Sequence, residues 1–223
     1  MHDTALKHGT MFFETYASPE WGTVVEIGAM DVNGSLRSAC PPDITYLGVD
    51  MEHGKSVDII VKPGEPLPFR DGFCDAVISS SQLEHDDFFW LSFLEFARVI
   101  KPGGYVYINA PSNGAYHRYP NDNWRFYPDC GQVLARWAQR NGIDIHLIES
   151  FVADLDKDIW CDFCAVFRKG PEEDAKEFMA DKTTCRNIWK LGRKEPENFR
   201  ASMQDMETIR ALEAELNKLR AQV

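Results

Sequence analysis

The sequence predicts an α/β protein: a doubly wound, mostly parallel sheet with helices on both faces. Three observations carry that expectation. Short β-rich runs alternate with helical runs through residues 10–167, the pattern of strands joined by crossovers. Several of these runs lack polar alternation, as strands covered on both faces do. The first run closes on a carboxylate and a glycine-bearing turn, a feature of the ligand edge of such sheets.

The elements follow in order. TVVEI (23–27), YLGVD (46–50), VDIIV (57–61) and AVIS (76–79) read as four short apolar strands. A helix is expected from about Asp86 to Ile100, with carboxylates at its start and Lys101-Pro102-Gly103-Gly104 as its stop. YVYINA (105–110) makes a fifth strand. A second helix should start after Pro128 with Asp129 as N-cap, carry Val133, Leu134 and Trp137, and end at Asn141-Gly142. Two more strands are expected near Ile143–Phe151 and Ile159–Phe167, joined by an acidic loop with Asp154, Asp156 and Asp158.

After Gly170-Pro171 the character changes, which divides the chain into a domain over 1–170 and a charged helical tail over 171–223. In the tail, Ile209, Leu212, Leu216, Leu219 and Val223 recur at coiled-coil spacing for less than three heptads. Such a seam either packs on its own domain or contacts a second copy or another protein.

Composition excludes several classes. No apolar run approaches the roughly 18 residues that span a bilayer, and MHDTALKHGT lacks the apolar stretch of a secretory signal, so a cytoplasmic protein is expected. Residues 1–170 hold 14 Lys and Arg against 24 Asp and Glu. A body that acidic repels phosphate backbones, which argues against a nucleic-acid partner. Cys161 and Cys164 form a CxxC inside a predicted strand. Residues three apart on a strand point to opposite faces, so neither a disulfide nor a shared metal is expected there.

The chemistry starts at VVEIGAMDVNGS (24–35). Gly28 lets the backbone turn tightly and lets a ligand approach. Asp50 closes the second strand 22 residues later, where a carboxylate can accept hydrogen bonds from both hydroxyls of a ribose. Further on stand Leu67-Pro68-Phe69, Phe73-Cys74-Asp75, Leu83-Glu84-His85 and Arg98-Val99-Ile100-Lys101-Pro102-Gly103-Gly104, in that order. Taken together these fragments resemble class I S-adenosylmethionine-dependent methyltransferases over roughly residues 10–168.

The resemblance implies a seven-stranded sheet whose last strand is antiparallel, with S-adenosylmethionine as cofactor. It implies that Glu26 approaches the methionine amino group, and that Gly28 and Ala29 pass beneath the methionine moiety. Asp50 would hold the ribose with Met51 on the adenine, while Ser79 and Ser80 lie beside the sulfonium. Leu67 joins the cofactor set, and Glu65 or backbone groups stand in for the acidic residue that usually meets the adenine amino group. Met30 and Val32 replace later loop glycines of the family, so the loop should follow a variant path.

Methyl transfer to a hydroxyl needs alignment and removal of a proton. His85 and His117 are the candidate catalytic residues, since both fall beyond strands on the carboxyl edge of the sheet. Glu84-His85 also resembles ubiquinone-biosynthesis methyltransferases, in which Glu and His hold a divalent cation such as Mg²⁺. Ser81 stands where those proteins have a further glutamate, so no complete metal site is expected. Within 113–128, Tyr116, Arg118, Trp124 and Arg125 are candidate acceptor contacts, because aromatic faces beside polar groups suit sugar rings. This segment resembles methyltransferases of bacterial glycan and secondary-metabolite loci, which implies O-methylation of a sugar or another small hydroxylated molecule. Quinone-like, lipid or protein acceptors, or a silent cofactor-binding subunit, are the alternatives.

Overall fold

A computed structural model describes residues 3–156, 159–173 and 175–221. Asp158 of the expected acidic loop and Val223 of the apolar seam lie outside those residues. The strands are β1 (Thr23–Ile27), β2 (Thr45–Asp50), β3 (Ile59–Ile60), β4 (Cys74–Ser80), β5 (Ile100–Pro111), β6 (Ile145–Ala153), β7 (Asp162–Lys169) and β8 (Cys185–Lys190). The helices are α1 (Asp3–Tyr16), α2 (Phe89–Val99), α3 (Asp129–Arg140) and α4 (Gln204–Arg220).

The strands form one sheet in the order β3-β2-β1-β4-β5-β7-β6-β8. The first five are parallel; β7 runs antiparallel to both β5 and β6, and β8 antiparallel to β6. The expected architecture therefore holds, with one strand more than the seven anticipated. The extra strand comes from CRNIWK, whose charges suggested helix. At the sheet edge Cys185 and Ile188 turn inward, while Lys190, largely covered, pairs with the more exposed Asp181 and Glu197. An edge strand with one wet face carries charge without penalty. The helical part of 171–223 is thus confined to α4.

Both faces of the sheet are covered. Val106, Ile108 and Ala110 of β5 pack with α2 and α3, where Phe93 meets Phe167 at 4.7 Å. Tyr105 and Tyr107, pointing the other way, meet α1, and Phe12 stacks on Tyr107 at 4.8 Å. That alternation is the period of two expected of a strand buried on both sides. Glu149, fully buried, accepts from the Tyr16 hydroxyl and from the backbone N–H groups of Met179 and Ala180, tying α1 and the chain before β8 to β6.

Two helix boundaries differ from expectation. α2 starts at Phe89 rather than Asp86, because Asp86 turns its carboxylate to the Phe88 N–H and the Ser92 hydroxyl ahead of the helix. At α3, Pro128 occupies the cap position and Asp129 is the first helical residue; its carboxylate accepts from the Trp189 indole N–H of β8 at 2.7 Å. α4 buries none of its residues: Ile209, Leu212, Leu216 and Leu219 are all exposed, so the seam does not pack on its own domain.

Candidate active site

The carboxyl ends of β1, β2, β4 and β5 and the start of β7 converge on one edge of the sheet. On its β1–β2 side Gly28 takes φ +80°, and the N–H groups of Gly28 and Ala29 both donate to the Val49 carbonyl. A Cβ at Gly28 would stand 2.6 Å from the Gln82 side chain, so only glycine fits this turn. Asp50 accepts from Met30 N–H at 3.0 Å and, through its other oxygen, from Met51 N–H at 2.7 Å. The altered glycine loop is thus held by Asp50 and by Asp31, which accepts from Gly34 N–H and pairs with Lys55.

Glu26 lies beneath this loop, 1% exposed, and accepts from the Tyr46 hydroxyl at 2.7 Å. Burial pushes its carboxyl up to about 7, against the opposing pull of Tyr46 and Arg37. A carboxyl raised from about 4.5 in the unfolded chain imposes no cost below that pH and its full cost above 7. The stability lost across that window is on the order of 3 kcal/mol. Glu26→Gln is therefore expected to flatten the decline in melting temperature between pH 4.5 and 7. Curves that superimpose on wild type at every pH would overturn this assignment.

Ser79 and Ser80 end β4, both buried, with hydroxyls bonded to Gln82 and Asn109. Leu67 is buried, and its backbone is clamped by Glu95 and Arg98 of α2. Glu65 is exposed, and its carboxylate accepts from Lys62 N–H in its own turn. Met51 is half-buried at the end of β2.

Across the edge, beyond β4 and β5, His85 and His117 meet edge to face with ring centroids 5.1 Å apart. His85 Nδ1 bonds the Asn121 carbonyl, and its Nε2 stands 3.6 Å from Glu84 Oε1. Burial holds the His85 imidazole below its usual pKa, so it is neutral near pH 7. His117 Nδ1 lies 3.2 Å from the Ala115 carbonyl and 3.4 Å from Asp122, and its ring packs against Trp160 at 5.1 Å. Glu84 is 1% exposed, and among the described residues neither carboxylate oxygen accepts a hydrogen bond. Burial raises its carboxyl to about 8. Its carbonyl accepts from Asn123 and Trp124 N–H, which anchors the aromatic segment.

Within that segment Arg125 forms a two-pronged ion pair with Asp122 and bonds two carbonyls, while the Trp124 indole donates to the Asp86 carbonyl and packs on Phe89 and Trp90. Both build the loop. Tyr116 and Arg118 are exposed at its rim, and the Tyr119 hydroxyl reaches Met30 of the glycine loop at 3.8 Å. Tyr46, Gln82, Asp122 and Trp160 belong to this edge and were not anticipated. Only Gln82, sitting between Ser79 and Glu84 in the quoted stretch, had a signal in its position.

Residues 26–108, from the loop carboxylate through β5, match the family described as "Methyltransferase domain". Over this stretch the chain is similar to methyltransferase domains, and its sheet has the fold of class I, S-adenosylmethionine-dependent methyltransferases. No curated protein matches the sequence. Among solved structures the chain resembles the 1,6-didemethyltoxoflavin-N1-methyltransferase of Burkholderia thailandensis with bound 1,6-didemethyltoxoflavin and S-adenosylhomocysteine. The likeness covers 76% of this chain and 80% of that one at 12% identity and a TM-score of 0.61. An S-adenosylmethionine-dependent methyltransferase from Archaeoglobus fulgidus follows, over 75% and 94% of the two chains at 14% identity and a TM-score of 0.54. The YcgJ protein of Bacillus subtilis matches over 77% and 100% at 14% identity and a TM-score of 0.53. At such identities the likeness is one of fold. β8 stands outside the seven strands expected from the resemblance.

Proposed function

We propose that this methyltransferase transfers the methyl group of S-adenosylmethionine to a hydroxyl of a small sugar-like acceptor. The cofactor carries a cationic ammonium and a cationic sulfonium, and the β1–β2 edge offers the carboxylates of Glu26, Asp31 and Asp50. In this reading Glu26 faces the ammonium, Gly28 and Ala29 give way to the methionine chain, and Asp50 uses its remaining lone pairs for the ribose hydroxyls. Met51 and Leu67 flank the adenine, with Glu65 beside it, and Ser79 and Ser80 close the floor near the sulfonium.

The observation that carries the acceptor side is the His85–His117 pair. Each Nδ1 is engaged by a backbone carbonyl, which leaves each Nε2 with its lone pair as a proton acceptor. A hydroxyl aligned there loses its proton as its oxygen attacks the methyl carbon, and S-adenosylhomocysteine leaves with the sulfur electron pair. Tyr116 and Arg118 at the rim supply an aromatic face and a charged donor for a hydroxylated ring. Trp124 and Arg125 support that rim from behind. A panel of free sugars, glycosides and phenols assayed with labelled cofactor tests the acceptor class; methyl transfer confined to amines would overturn it.

α4 fits a second copy of the chain, joined in parallel. Ile209 and Leu216 fall at a positions and Leu212 and Leu219 at d positions, and Ile209 at a with leucines at both d positions suits two strands. In a parallel pair Glu215 at g faces Arg220 at e of the other copy, whereas an antiparallel pair would set Glu213 on Glu213 and Glu215 on Glu215. Deleting residues 201–223 should halve the mass seen by light scattering and leave S-adenosylhomocysteine binding intact; equal masses for both proteins would refute the pairing. No helix among the described residues is long and apolar enough to cross a membrane. The six cysteines are all free, which suits a reducing compartment such as the cytoplasm.

A further inference from the structure

We propose that Glu84, His85 and His117 together bind one divalent transition ion of the zinc or cobalt type. One donor atom from each of the three lies within 4.8 Å of the others. Ligands held at about 2.0–2.2 Å from a tetrahedral ion stand about 3.4 Å from one another. Glu84 Oε1 and His85 Nε2, at 3.6 Å, already have that spacing, and a donor atom of His117 lies within 4.8 Å of theirs.

Two further features mark a built site. Glu84 is 1% exposed, and neither of its carboxylate oxygens accepts a hydrogen bond among the described residues. A buried carboxyl in that condition holds a proton or takes a cation in its place. The imidazoles are also arranged as metal-bound imidazoles are, each with Nδ1 fixed by an acceptor and Nε2 left for the ion. The acceptors are the Asn121 carbonyl for His85, and the Ala115 carbonyl with the Asp122 carboxylate for His117.

The donor set selects the ion. Mg²⁺ seeks an octahedron of oxygens, whereas two imidazoles and one carboxylate suit zinc, cobalt or iron. The third protein ligand is His117, from the segment beyond β5, so Ser81 is not needed. Three ligands leave a coordination position open for a hydroxyl oxygen. The inference rests on the acceptor-side placement of these imidazoles and changes their role. With Nε2 bound to the ion they no longer accept the proton, and the ion would instead lower the pKa of a bound hydroxyl. Its test is read without turnover.

Protein stripped with a chelator is titrated with Co²⁺, followed by visible d–d absorption, and then with Zn²⁺ by calorimetry. The expected result is one ion per chain, not displaced by millimolar Mg²⁺. Affinity should fall at least about 10-fold in H117A and in the near-isosteric E84Q. Each variant is first shown to bind S-adenosylhomocysteine, which separates a lost ligand from a lost fold. No saturable binding, or equal binding by the H85A/H117A double variant, overturns the site. If the ion fails to bind while H85A still lowers kcat, the metal inference falls and the acceptor-side reading stands. Stoichiometric binding with unaltered kcat in both histidine variants would do the reverse.

Discussion

Replacing His85 or His117 by alanine is expected to lower kcat by about 10²–10⁴-fold while S-adenosylhomocysteine affinity stays nearly constant. The separation follows from geometry. Both imidazoles lie beyond β4 and β5, whereas the groups proposed for the cofactor lie at the ends of β1, β2 and β4. Loss of an imidazole removes either the group that receives the hydroxyl proton or a ligand of the ion that would acidify that hydroxyl, and leaves the cofactor's partners in place. The larger effect should come from His85, which is more buried and stands beside Glu84. A histidine with a purely structural role would instead lower the melting temperature and move binding and rate together. Near-wild-type kcat in both variants on the true acceptor would place catalysis in alignment alone and point to an acceptor that is already nucleophilic.

The second large effect is expected at Asp50. Asp50→Ala should weaken S-adenosylhomocysteine binding by about 10–100-fold, the equivalent of roughly 1.5–3 kcal/mol of lost hydrogen bonds to the ribose. The same change releases Met30 and Met51 N–H, which now bond the two carboxylate oxygens, so the loop after Gly28 should loosen as well. Asp50→Asn keeps one acceptor and should fall between. Calorimetry that gives wild-type affinity for the alanine variant would remove Asp50 from the cofactor site, and binding of NADH in place of S-adenosylhomocysteine would overturn the cofactor itself.

Much of this fold was legible because its strands are buried on both faces. Runs such as YVYINA and AVIS announce themselves by apolar content, and their order suffices for a doubly wound sheet. β8 was not legible, since Arg186, Asn187 and Lys190 interrupt its apolar residues and only tertiary placement at the edge reconciles them. Asp129 looked like a helix cap because local sequence favours that role; its actual partner, Trp189, is 60 residues away. In the site, Glu26, Gly28, Asp50 and the two histidines were readable from strand-end positions. Glu84 was readable as a residue but not as a buried carboxylate without a donor, which depends on what the folded chain leaves out around it. Trp124 and Arg125 were suggested for the acceptor by residue type alone, and the fold employs both within the loop.

The segment from 113 to 128 is fastened at both ends, at the first by Asn113, which bonds the Ile159 carbonyl and the Cys161 N–H. Asn123 and Trp124 N–H donate to the Glu84 carbonyl, Phe126 N–H to the Pro111 carbonyl, and Asn121 receives His85. Between these anchors Tyr116, Arg118 and Tyr119 are exposed. Amide exchange should therefore divide the segment, with slow protons at 117, 123, 124 and 126, where the N–H groups are bonded, and fast ones at 115, 116 and 118. Because the pair at 123 and 124 hangs from Glu84 itself, any event that draws the Glu84 side chain, such as capture of a cation, should be heard in the protection of amides almost 40 residues downstream. The backbone at that point works as a reporter wired to the acid, and it can be read with no knowledge of the acceptor.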